Sequence, residues 1–303
     1  MPDPCGLLLL DKPSGPTSHD LVYAVRRGSG VRRVGHAGTL DPLASGLLIM
    51  CLGPATRLSE YLAGKDKRYL ARVRLGQATT TYDAQGAVTE THADLPGQAA
   101  VEAALVPFRG RQQQVPPAYS AIKRGGQKAY ELARRGETVE LDARPVEFYS
   151  LELVDWQPPE LQLNVHCSAG TYIRSLAHDL GQRLGCGAHL SALRRTASGS
   201  FDLSQAISLP DLQSAFAGGN WLQYLRPPDA ALVDWPSVRL TTEAAGRVQR
   251  GQPVKLDLPA GQFGDAGAEL LARAYNAAGD FIAVLRADTS AGVWRPHKVF
   301  LEN

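Results

Sequence analysis

The chain has 303 residues, of which 44% are hydrophobic and 20% are charged, with a formal net charge of +2 at pH 7. This balance is ordinary for a globular protein, and the length suits about two domains of roughly 150 residues each. The net charge of +2 excludes a strongly acidic or strongly basic chain. No apolar run is long enough to cross a bilayer or to act as a signal peptide, so we expect no membrane association and a cytoplasmic location.

The N-terminal third predicts alternating short elements. A buried strand is expected at 6–10, followed by a helix at 18–27 that Ser18 would cap. The glycine-rich segment 35–46 reads as a loop that leads into a buried strand at 47–52. The chain therefore begins as an α+β fold in which a loop of small residues precedes a buried strand.

The middle of the chain continues this pattern and then changes composition. We expect a short helix at 56–63, a half-buried strand at 69–75 and a helix at 97–106. Residues 107–145 are rich in glutamine and proline and carry a basic turn, and they predict an insertion with a helix at 127–135.

The last elements indicate a second, smaller unit. Two strands at 146–156 and 160–168 precede a helix at 171–184. Core patterning then weakens, and we place a domain boundary near 232. The remainder, with strands expected at 268–275 and 281–285, predicts a small β-rich domain.

The four cysteines, Cys5, Cys51, Cys167 and Cys186, are far apart in sequence. None belongs to a Cys-x-x-Cys pair, so we expect neither a zinc site nor a redox motif. Scattered thiols are typical of a reducing compartment. No metal and no cofactor are expected.

Charge is unevenly distributed. Residues 1–80 contain eleven Lys or Arg and six Asp or Glu, and residues 101–140 contain seven basic and four acidic residues. A local surplus of positive charge is typical of a surface that faces phosphates, although a solvated surface explains it equally well.

The segment 35–46 carries the most chemical information. It places one imidazole, His36, and one carboxylate, Asp41, among glycines and other small residues. Pro42 keeps Asp41 out of helical geometry, and a carboxylate held on a tight loop is suited to act as a nucleophile or base. An aspartate that caps its own turn is the alternative, and for an isolated Asp-Pro it is the better one.

This segment, Gly35-His36-Ala37-Gly38-Thr39-Leu40-Asp41-Pro42-Leu43-Ala44-Ser45-Gly46, resembles the signature loop of the TruB family of tRNA pseudouridine-55 synthases. Further segments resemble the other motifs of that family in the same order, over about residues 6–208. They are Leu9-Leu10-Asp11-Lys12-Pro13-Ser14-Gly15-Pro16-Thr17-Ser18, Lys67-Arg68-Tyr69 with Tyr82-Asp83, Val115-Pro116-Pro117-Ala118-Tyr119-Ser120-Ala121-Ile122-Lys123, and Gly170-Thr171-Tyr172-Ile173-Arg174 with Leu193-Arg194-Arg195.

The resemblance implies an α+β fold: a mixed, largely antiparallel sheet with flanking helices and an RNA-gripping insertion at about 107–145. Residues 1–232 would form the catalytic domain, and 233–303 a small β-rich PUA-type RNA-binding domain. The implied activity is isomerisation of a uridine in the T-arm loop of tRNA, at position 55, without a cofactor. The partner is tRNA, no obligatory protein partner is implied, and a monomer is expected.

The resemblance also assigns roles to residues. Asp41 is the essential carboxylate, Arg174 its partner that lowers the aspartate pKa, and Asp83 a group that orients Arg174. His36 helps to extrude the base, and Tyr69 stacks on the flipped uracil and is a candidate for removing its C5 proton.

The remaining expected substrate and RNA contacts are Arg57, Tyr172, Leu193, Arg194, Arg195, Lys123 and Arg124. Taken alone, Tyr69 and Leu193 are more typical of a core, and Arg174 is more typical of a surface salt bridge on a helix. Two places differ from the pattern of bacterial members, Arg57 where a lysine is frequent and 79–82 where threonine–aspartate pairs are frequent. They affect the expected fine contacts with the substrate.

Two other functions stay open. One is the same chemistry on a different RNA, as in relatives that act within an RNA-guided assembly. The other is an RNA-binding or tRNA-folding protein with no catalysis. The insertion at 107–145 favours a stand-alone synthase over the guided assembly.

Overall fold

The computed structural model describes residues 4–120, 122–124, 127–129, 132, 135, 137, 140–256 and 270–300. The described helices are α1 (Ser18–Ser29), α2 (Ser59–Ala63), α3 (Gln98–Leu105), α4 (Ile173–Leu184), α5 (Leu209–Ala217) and α6 (Thr242–Gln249). None of these helices has the length and apolar character needed to span a membrane.

The described strands of the first three quarters are β1 (Gly6–Lys12), β2 (Val34–Ala37), β3 (Ala44–Leu52), β4 (Lys67–Leu75), β5 (Gln77–Thr79), β6 (Val88–Thr91), β7 (Gly110–Gln114), β8 (Lys123–Arg124), β9 (Gln127–Lys128), β10 (Arg144–Gln157), β11 (Glu160–Cys167), β12 (Ala188–Ser198), β13 (Phe201–Asp202), β14 (Ile207–Ser208) and β15 (Leu225–Arg226). The C-terminal strands are β16 (Ser237–Arg239), β17 (Leu271–Tyr275), β18 (Phe281–Asp288) and β19 (Val293–Val299). The predicted helices at 18–27, 56–63, 97–106 and 171–184 and the predicted strands before 168 are confirmed.

The main sheet runs in the order β14-β1-β3-β12-β4-β11-β10-β7, with β2 paired to β3, β13 to β12 and β15 to β1. Among these described pairs, β1–β14 and β3–β12 are parallel and the others are antiparallel. The predicted α+β class with a mixed, largely antiparallel sheet is confirmed. The parallel contact of β3 with β12 places Ala44 opposite Leu193, and this contact lies beside Asp41.

Strands β1 and β3 are buried on both faces, which explains why their sequences are continuously apolar. Leu8, Leu10 and Leu48 face a core that they share with the inner sides of α1, α3 and α4. Leu7 and Ile49 alternate with them and face a second core on the other side of the sheet. Since successive side chains of a strand point to opposite faces, one pair of strands anchors both layers.

Helix α1 is capped by Thr17, and the prediction that Ser18 caps it is wrong. Thr17 and Asp20 form a reciprocal capping box, in which each side chain accepts a hydrogen bond from the other residue's backbone N–H. The Ser18 hydroxyl is buried and instead accepts from the backbone N of Leu40 at 2.9 Å and donates to the Leu40 carbonyl at 3.0 Å. The first turn of α1 is therefore fastened to the residue that precedes Asp41.

The loop predicted at 35–46 is shorter in the structure. His36 lies in β2, opposite Met50 of β3, and β3 itself begins at Ala44. Only residues 38–43 connect the two strands. The prediction was wrong at both ends because Gly35 to Ala37 pair with the following strand β3 and Ala44 to Gly46 pair with the distant strand β12, and the local pattern of small residues contains neither pairing.

Part of the segment predicted as an insertion belongs to the main sheet. Strand β7 pairs with β10 at the sheet edge, whereas β8 and β9 form a separate two-stranded hairpin. The helix predicted at 127–135 begins with β9 and otherwise falls mostly outside the described residues. The side chains of Lys123 and Arg124 are also outside them.

The C-terminal strands β16 to β19 form a second sheet, which encloses a core with α6 that includes Leu240, Val248 and Ile282. The strand predicted at 281–285 is confirmed, and that predicted at 268–275 is confirmed from Leu271 onward. Two other side chains of this unit, Val284 and Phe300, pack into the second core of the main sheet. The small sheet is thus seated against the face of the main sheet opposite α1.

Gly46 provides a test of the β3–β12 contact. Its φ is +97°, and a Cβ atom there would lie 2.3 Å from the carbonyl oxygen of Arg195 on β12. We expect Gly46→Ala to lower the free energy of unfolding by about 3 kcal/mol or more, since backbone strain and a backbone clash combine. Chemical denaturation of the variant measures this change.

Gly30 supplies the matched control. It also has a left-handed φ, +72°, but no atom lies within 4 Å of the position of its Cβ. Gly30→Ala therefore carries only the conformational strain, about 1 kcal/mol. Equal losses in the two variants would show that the close β3–β12 approach at Gly46 is not under constraint.

Candidate active site

Asp41 lies on the six-residue connection between β2 and β3. Hydrogen bonds from the end of β1 and from the segment after it fix the backbone of this connection. The ammonium group of Lys12, at the end of β1, donates to the carbonyl of Ala44 at 2.6 Å and to that of Pro42 at 3.4 Å. The backbone N of Gly15 donates to the Pro42 carbonyl at 2.8 Å. The loop backbone is thus fixed, while the Asp41 side chain remains 41% exposed.

Arg174 is the partner of this carboxylate. Its Nε lies 3.0 Å from Oδ2 of Asp41, and its side chain is only 7% exposed. Its Nη2 donates to the carbonyl of Tyr119 at 2.9 Å, and Nη1 lies 3.5 Å from Oδ2 of Asp83. A guanidinium with separate N–H groups can contact two carboxylates and a carbonyl at once, which a lysine ammonium cannot do in this planar arrangement.

Asp83 is oriented by its own turn. Its Oδ1 accepts from the Thr81 hydroxyl at 2.6 Å and from the backbone N of Gln85 at 3.0 Å. The carbonyl of Thr81 in addition accepts from Nη1 of Arg174 at 3.4 Å. The buried carboxylate therefore has its hydrogen bonds satisfied locally, and its second oxygen is directed at the guanidinium.

A ring stack fastens the same turn to α4. Tyr82 has a φ of +63°, which is unusual for a residue other than glycine, and its ring lies 3.8 Å from that of His178 in a nearly parallel stack. His178 follows Arg174 by four residues, so both side chains lie on one side of α4. The turn thus contacts α4 at two points, through the guanidinium and through the imidazole.

Burial in the cleft raises the pKa of Asp41 above its ordinary value, and this is the largest influence on it. Arg174 lowers the pKa, Asp83 raises it, and Lys12 lowers it. The sequence-based expectation was right about the direction of the Arg174 contribution but wrong about the net shift. Desolvation outweighs the opposing contribution of Arg174 even though the two groups are only 3.0 Å apart, and the nearby Asp83 carboxylate adds to the upward shift.

Tyr69 lies on β4, opposite Arg195 of β12, and is 8% exposed. Burial raises the pKa of its phenol, while the adjacent Arg195 guanidinium, a hydrogen-bond partner of the hydroxyl, lowers it. The Asp41 charge also acts on this phenol, which brings Tyr69 into the same cluster. Taken alone, Tyr69 would be a core aromatic, and its ring does pack in the main core.

His36 lies on β2 near the base of the loop and is partly buried. Burial lowers its pKa first, and the positive charges of Arg195 and His19 lower it further, so its imidazole is neutral at pH 7. The buried Nδ1 has no hydrogen-bond partner among the described residues.

Tyr172 and Leu193 lie on two other sides of the cluster. The backbone of Tyr172 makes two hydrogen bonds with the side chain of Gln114, at 2.8 and 3.0 Å, just before α4 begins. Leu193 lies between Ala44 of β3 and Ala71 of β4, and it is partly buried. Sheet pairing thus sets the position of Leu193, whereas the hydrogen bonds to Gln114 set the position of Tyr172.

Other residues expected at the site lie elsewhere or have other partners. Arg194 is directed at Asp11, with Nη2 2.7 Å from Oδ2, and remains 43% exposed. Arg57 donates to the carbonyl of Val299 at 2.7 Å and lies over the Phe300 ring, so it joins the main sheet to the C-terminal sheet. Arg195 is 1% exposed, so its expected phosphate contact is wrong.

The sequence reasoning missed Lys12 as a part of the site, and it expected Arg195 at a phosphate and not as a buried cation beside Tyr69. Lys12 is fully buried, and burial lowers its pKa to about 8 against the opposing effect of Asp41. Arg195 donates from Nε to the Leu47 carbonyl at 2.7 Å and from Nη2 to the Gly38 carbonyl at 3.0 Å. The available signal was their position inside the motifs that carry Asp11 and Leu193.

The arrangement has the chemistry of an electrostatic and nucleophilic site. One carboxylate is open to a ligand on one side and held by a buried guanidinium on the other, with a phenol and a neutral imidazole nearby. Within the described ranges, no group of three or more His, Cys, Asp or Glu side chains is placed to hold a metal ion.

Comparisons with known proteins agree on a family. The model of the TruB family pseudouridylate synthase N-terminal domain matches residues 26–173. The model of the tRNA pseudouridylate synthase B C-terminal domain matches residues 174–233. These two ranges contain Asp41, Tyr69, Asp83 and Arg174.

Curated relatives cover most of the chain. The tRNA pseudouridine synthase B of Pseudomonas fluorescens strain Pf-5 is 46% identical over 253 residues, 82% of this chain and 83% of its own. That of Pseudomonas putida strain GB-1 is 46% identical over 263 residues, 86% of each chain.

Solved structures support the same assignment over nearly the whole fold. A chain of an H/ACA RNP bound to a substrate RNA containing 2′-deoxyuridine matches with a TM-score of 0.73 and 26% identity, covering 98% of this chain and 85% of that one. A chain of the archaeal box H/ACA sRNP Nop10-Cbf5 complex matches with a TM-score of 0.71 and 27% identity, covering 98% and 86%. With its family models, its curated relatives and its fold in agreement, this chain belongs to the TruB family of pseudouridine synthases.

Proposed function

We propose that this enzyme converts uridine to pseudouridine in the T-arm loop of tRNA, at position 55, with Asp41 as the essential carboxylate. The observation that carries the proposal is the Asp41–Arg174–Asp83 cluster, in which Asp41 is open to a ligand while its partners are buried. The curated relatives named tRNA pseudouridine synthase B support tRNA as the substrate.

In this reaction the C1′–N1 glycosidic bond breaks, the uracil turns, and a bond forms between C1′ and C5. The proton on C5 is lost and a proton is gained at N1, so the conversion is an isomerisation with no net change in composition. Asp41 acts as the carboxylate at the sugar, and it must be ionised to do so. Arg174 holds its charge against desolvation when the RNA closes the cleft.

The target base is stacked inside a folded RNA arm, so it must leave its stack to reach Asp41. His36 is placed to assist this extrusion, with a buried and unsatisfied Nδ1 within the described structure. Tyr69 stacks on the flipped uracil, and such contacts contribute roughly 1–3 kcal/mol per base. Tyr172 and Leu193 border the same space.

Tyr69 is also the proposed base for the C5 proton. Burial raises the pKa of this phenol, and Arg195 is the cation beside it that stabilises the phenolate. Without that guanidinium the buried phenol would ionise even less readily, and less phenolate would be available to accept the C5 proton.

We further propose two RNA-binding functions outside the cluster. Residues 1–232 form the catalytic domain, whose inserted segment, including Lys123 and Arg124, grips the RNA. Residues 233–303 form a PUA-type RNA-binding domain. Arg194 is exposed enough to meet a phosphate, whereas Arg57 acts at the junction of the two units.

The proposed enzyme acts on tRNA as a monomer in the cytoplasm without an obligatory protein partner. The related chains in H/ACA particles belong to assemblies, and the same chemistry on another RNA is the alternative that they favour. Activity of the isolated chain on an unmodified tRNA transcript separates these two possibilities, since a guided enzyme requires its assembly.

Asp41→Asn tests the essential carboxylate. We expect it to abolish release of tritium from tRNA labelled at uridine C5 while tRNA binding stays within about threefold of wild type, because the amide is isosteric but cannot ionise. Release by wild type and its loss in the variant are measured in one assay. Tritium release by the variant at a rate near wild type would rule out the role of Asp41.

Tyr69→Phe tests the proposed use of the phenol. The ring is retained, so we expect tRNA affinity to remain while tritium release slows by about 100-fold or more, the loss typical of a removed general base. Single-turnover kinetics at saturating enzyme measure the rate. A Tyr69→Phe rate equal to wild type, together with a slow Tyr69→Ala, would leave only the stacking role.

The acid side of the pH–rate profile tests the Asp41–Arg174 pair. Since the Asp41 pKa is raised, kcat/KM should be full above that pKa and fall as pH drops through it, at a pH above the ordinary aspartate value. Arg174→Lys should move this limb to higher pH, because a single ammonium cannot face Asp41 and Asp83 together.

Arg183→Lys is the control, since Arg183 lies exposed in the last turn of the same helix. It should leave the profile unchanged. An acid limb at the same pH in wild type and Arg174→Lys would show that Arg174 does not set the ionisation of Asp41.

A further inference from the structure

We propose that the outer face of α1 is a second RNA-binding surface, which contacts the strand of the T-arm that leaves the cleft next to the target uridine. This inference rests on the proposed function and deepens it. The surface, called the α1 patch, consists of His19, Tyr23, Arg26 and Arg27 on α1 together with Arg32 and Arg33 on the segment that follows it.

The α1 patch has uncompensated positive charge. Asp20 is the sole acidic residue between positions 18 and 33, and its carboxylate is committed to the Thr17 cap. None of the four arginines forms an ion pair with another residue of the described chain. Four exposed or half-exposed guanidinium groups beside a long helix face suit a polyanion, and arginine suits phosphates in particular.

Tyr23 gives this charged face a stacking platform. Tyr23 is 55% exposed, although burial of its aromatic ring would be energetically favourable. The guanidinium of Arg26 lies 5.5 Å from the ring centre, and the His19 ring meets it edge-on at 4.7 Å. Cations interleaved with an exposed aromatic ring are typical of surfaces that bind unpaired or terminal nucleotides.

The position of α1 ties the patch to the active site. Its first turn is bonded through Ser18 to Leu40, the residue before Asp41. Nη2 of Arg26 lies 3.4 Å from the carbonyl of Val34, two residues before His36. The charge of His19 also acts on His36. The patch therefore begins beside the loop that carries Asp41 and extends along a helix of roughly 18 Å.

The position of the α1 patch indicates which molecule binds there. The target uridine is internal to an RNA chain, so the nucleotides on both sides of it must leave the cleft across the adjoining surface. The α1 patch is such a surface, and its charge and exposed ring fit a nucleotide strand better than an apolar protein partner. An acidic protein would be attracted by the same charges, and the experiment separates these two cases.

The test compares Tyr23→Ala and the double variant Arg27→Ala/Arg32→Ala with wild type. Tritium release is measured with full-length tRNA and with an isolated T-arm hairpin. We expect KM to rise roughly tenfold in each variant on both RNAs, consistent with the loss of one stack or two phosphate contacts. The rate at saturating RNA should stay within about twofold, because none of these residues contacts the reacting base.

The dependence of RNA binding on salt gives a second readout. The slope of log Kd against log salt should decrease in magnitude by about 1.4–1.8 in the double variant and be nearly unchanged in Tyr23→Ala. Arg183→Ala and Tyr224→Ala are the matched controls, since Arg183 ends α4 as Arg27 ends α1, and Tyr224 is another exposed tyrosine. Both controls should bind RNA as wild type does.

Three outcomes would overturn the proposal. Unchanged KM and salt slope would show that the patch does not bind RNA, leaving an acidic protein as the occupant. A loss on full-length tRNA alone would place the contact outside the T-arm. An equal loss in Arg183→Ala would indicate general electrostatic attraction. Absence of tritium release by wild type would overturn the proposed function instead, and the same binding measurements would still test the patch.

Discussion

The buried guanidinium of Arg174 is the interaction on which the rest of the site depends. A cation removed from water in this way is stable only when its N–H groups are satisfied, and here two carboxylates and two carbonyls share them. The two carboxylates are unequal, since Asp83 is buried and saturated by its own turn whereas Asp41 is open. Arg174 is therefore held by Asp83 and presented to Asp41.

This asymmetry explains several features around the cluster. The Tyr82–His178 stack and the bonds of Thr81 fix the turn that carries Asp83, so the guanidinium has a defined position on α4. On the other side, Lys12 and Ser18 fix the backbone of the loop that carries Asp41. The turn that carries Asp83 and the loop that carries Asp41 are thus both held in place, and the Arg174–Asp41 ion pair joins them. A catalytic side chain held in this way loses little conformational freedom when substrate binds.

Much of this frame was readable from the sequence because its elements have strong local patterns. The apolar runs of β1 and β3, the alternation of β4 and the helical spacing of α4 predicted the correct elements. The motifs predicted the grouping of Asp41, Asp83 and Arg174 through family resemblance. The exact contacts of Ser18 and the strand position of His36 were not readable, because a neighbouring capping residue decides the first and antiparallel pairing with Met50 of β3 decides the second.

Arg195 and Arg57 show a second limit of prediction from sequence, which concerns the exposure of basic side chains. Both stand in or beside motif segments with the appearance of phosphate ligands, yet one is buried under the loop and the other joins two sheets. A basic residue in a sequence carries no information about its exposure, because arginine can satisfy several buried carbonyls as well as it binds phosphate. Only the burial of the surrounding strands distinguishes the two uses.

Asp41 must be ionised although the RNA backbone beside it is also negatively charged. The positions of the nearby cations in this structure reduce that conflict. Phosphates approaching the cleft raise the pKa of Asp41, and closure of the cleft removes solvent from it, which acts in the same direction. Arg174 and Lys12, the two cations that lower the pKa of Asp41, are buried and out of reach of phosphates, so RNA binding cannot neutralise them by pairing. Because buried charges are also screened little by salt, they act on Asp41 while the exposed arginines of α1 remain available to the RNA. Separate sets of cations can thus serve the reaction and the binding of the substrate.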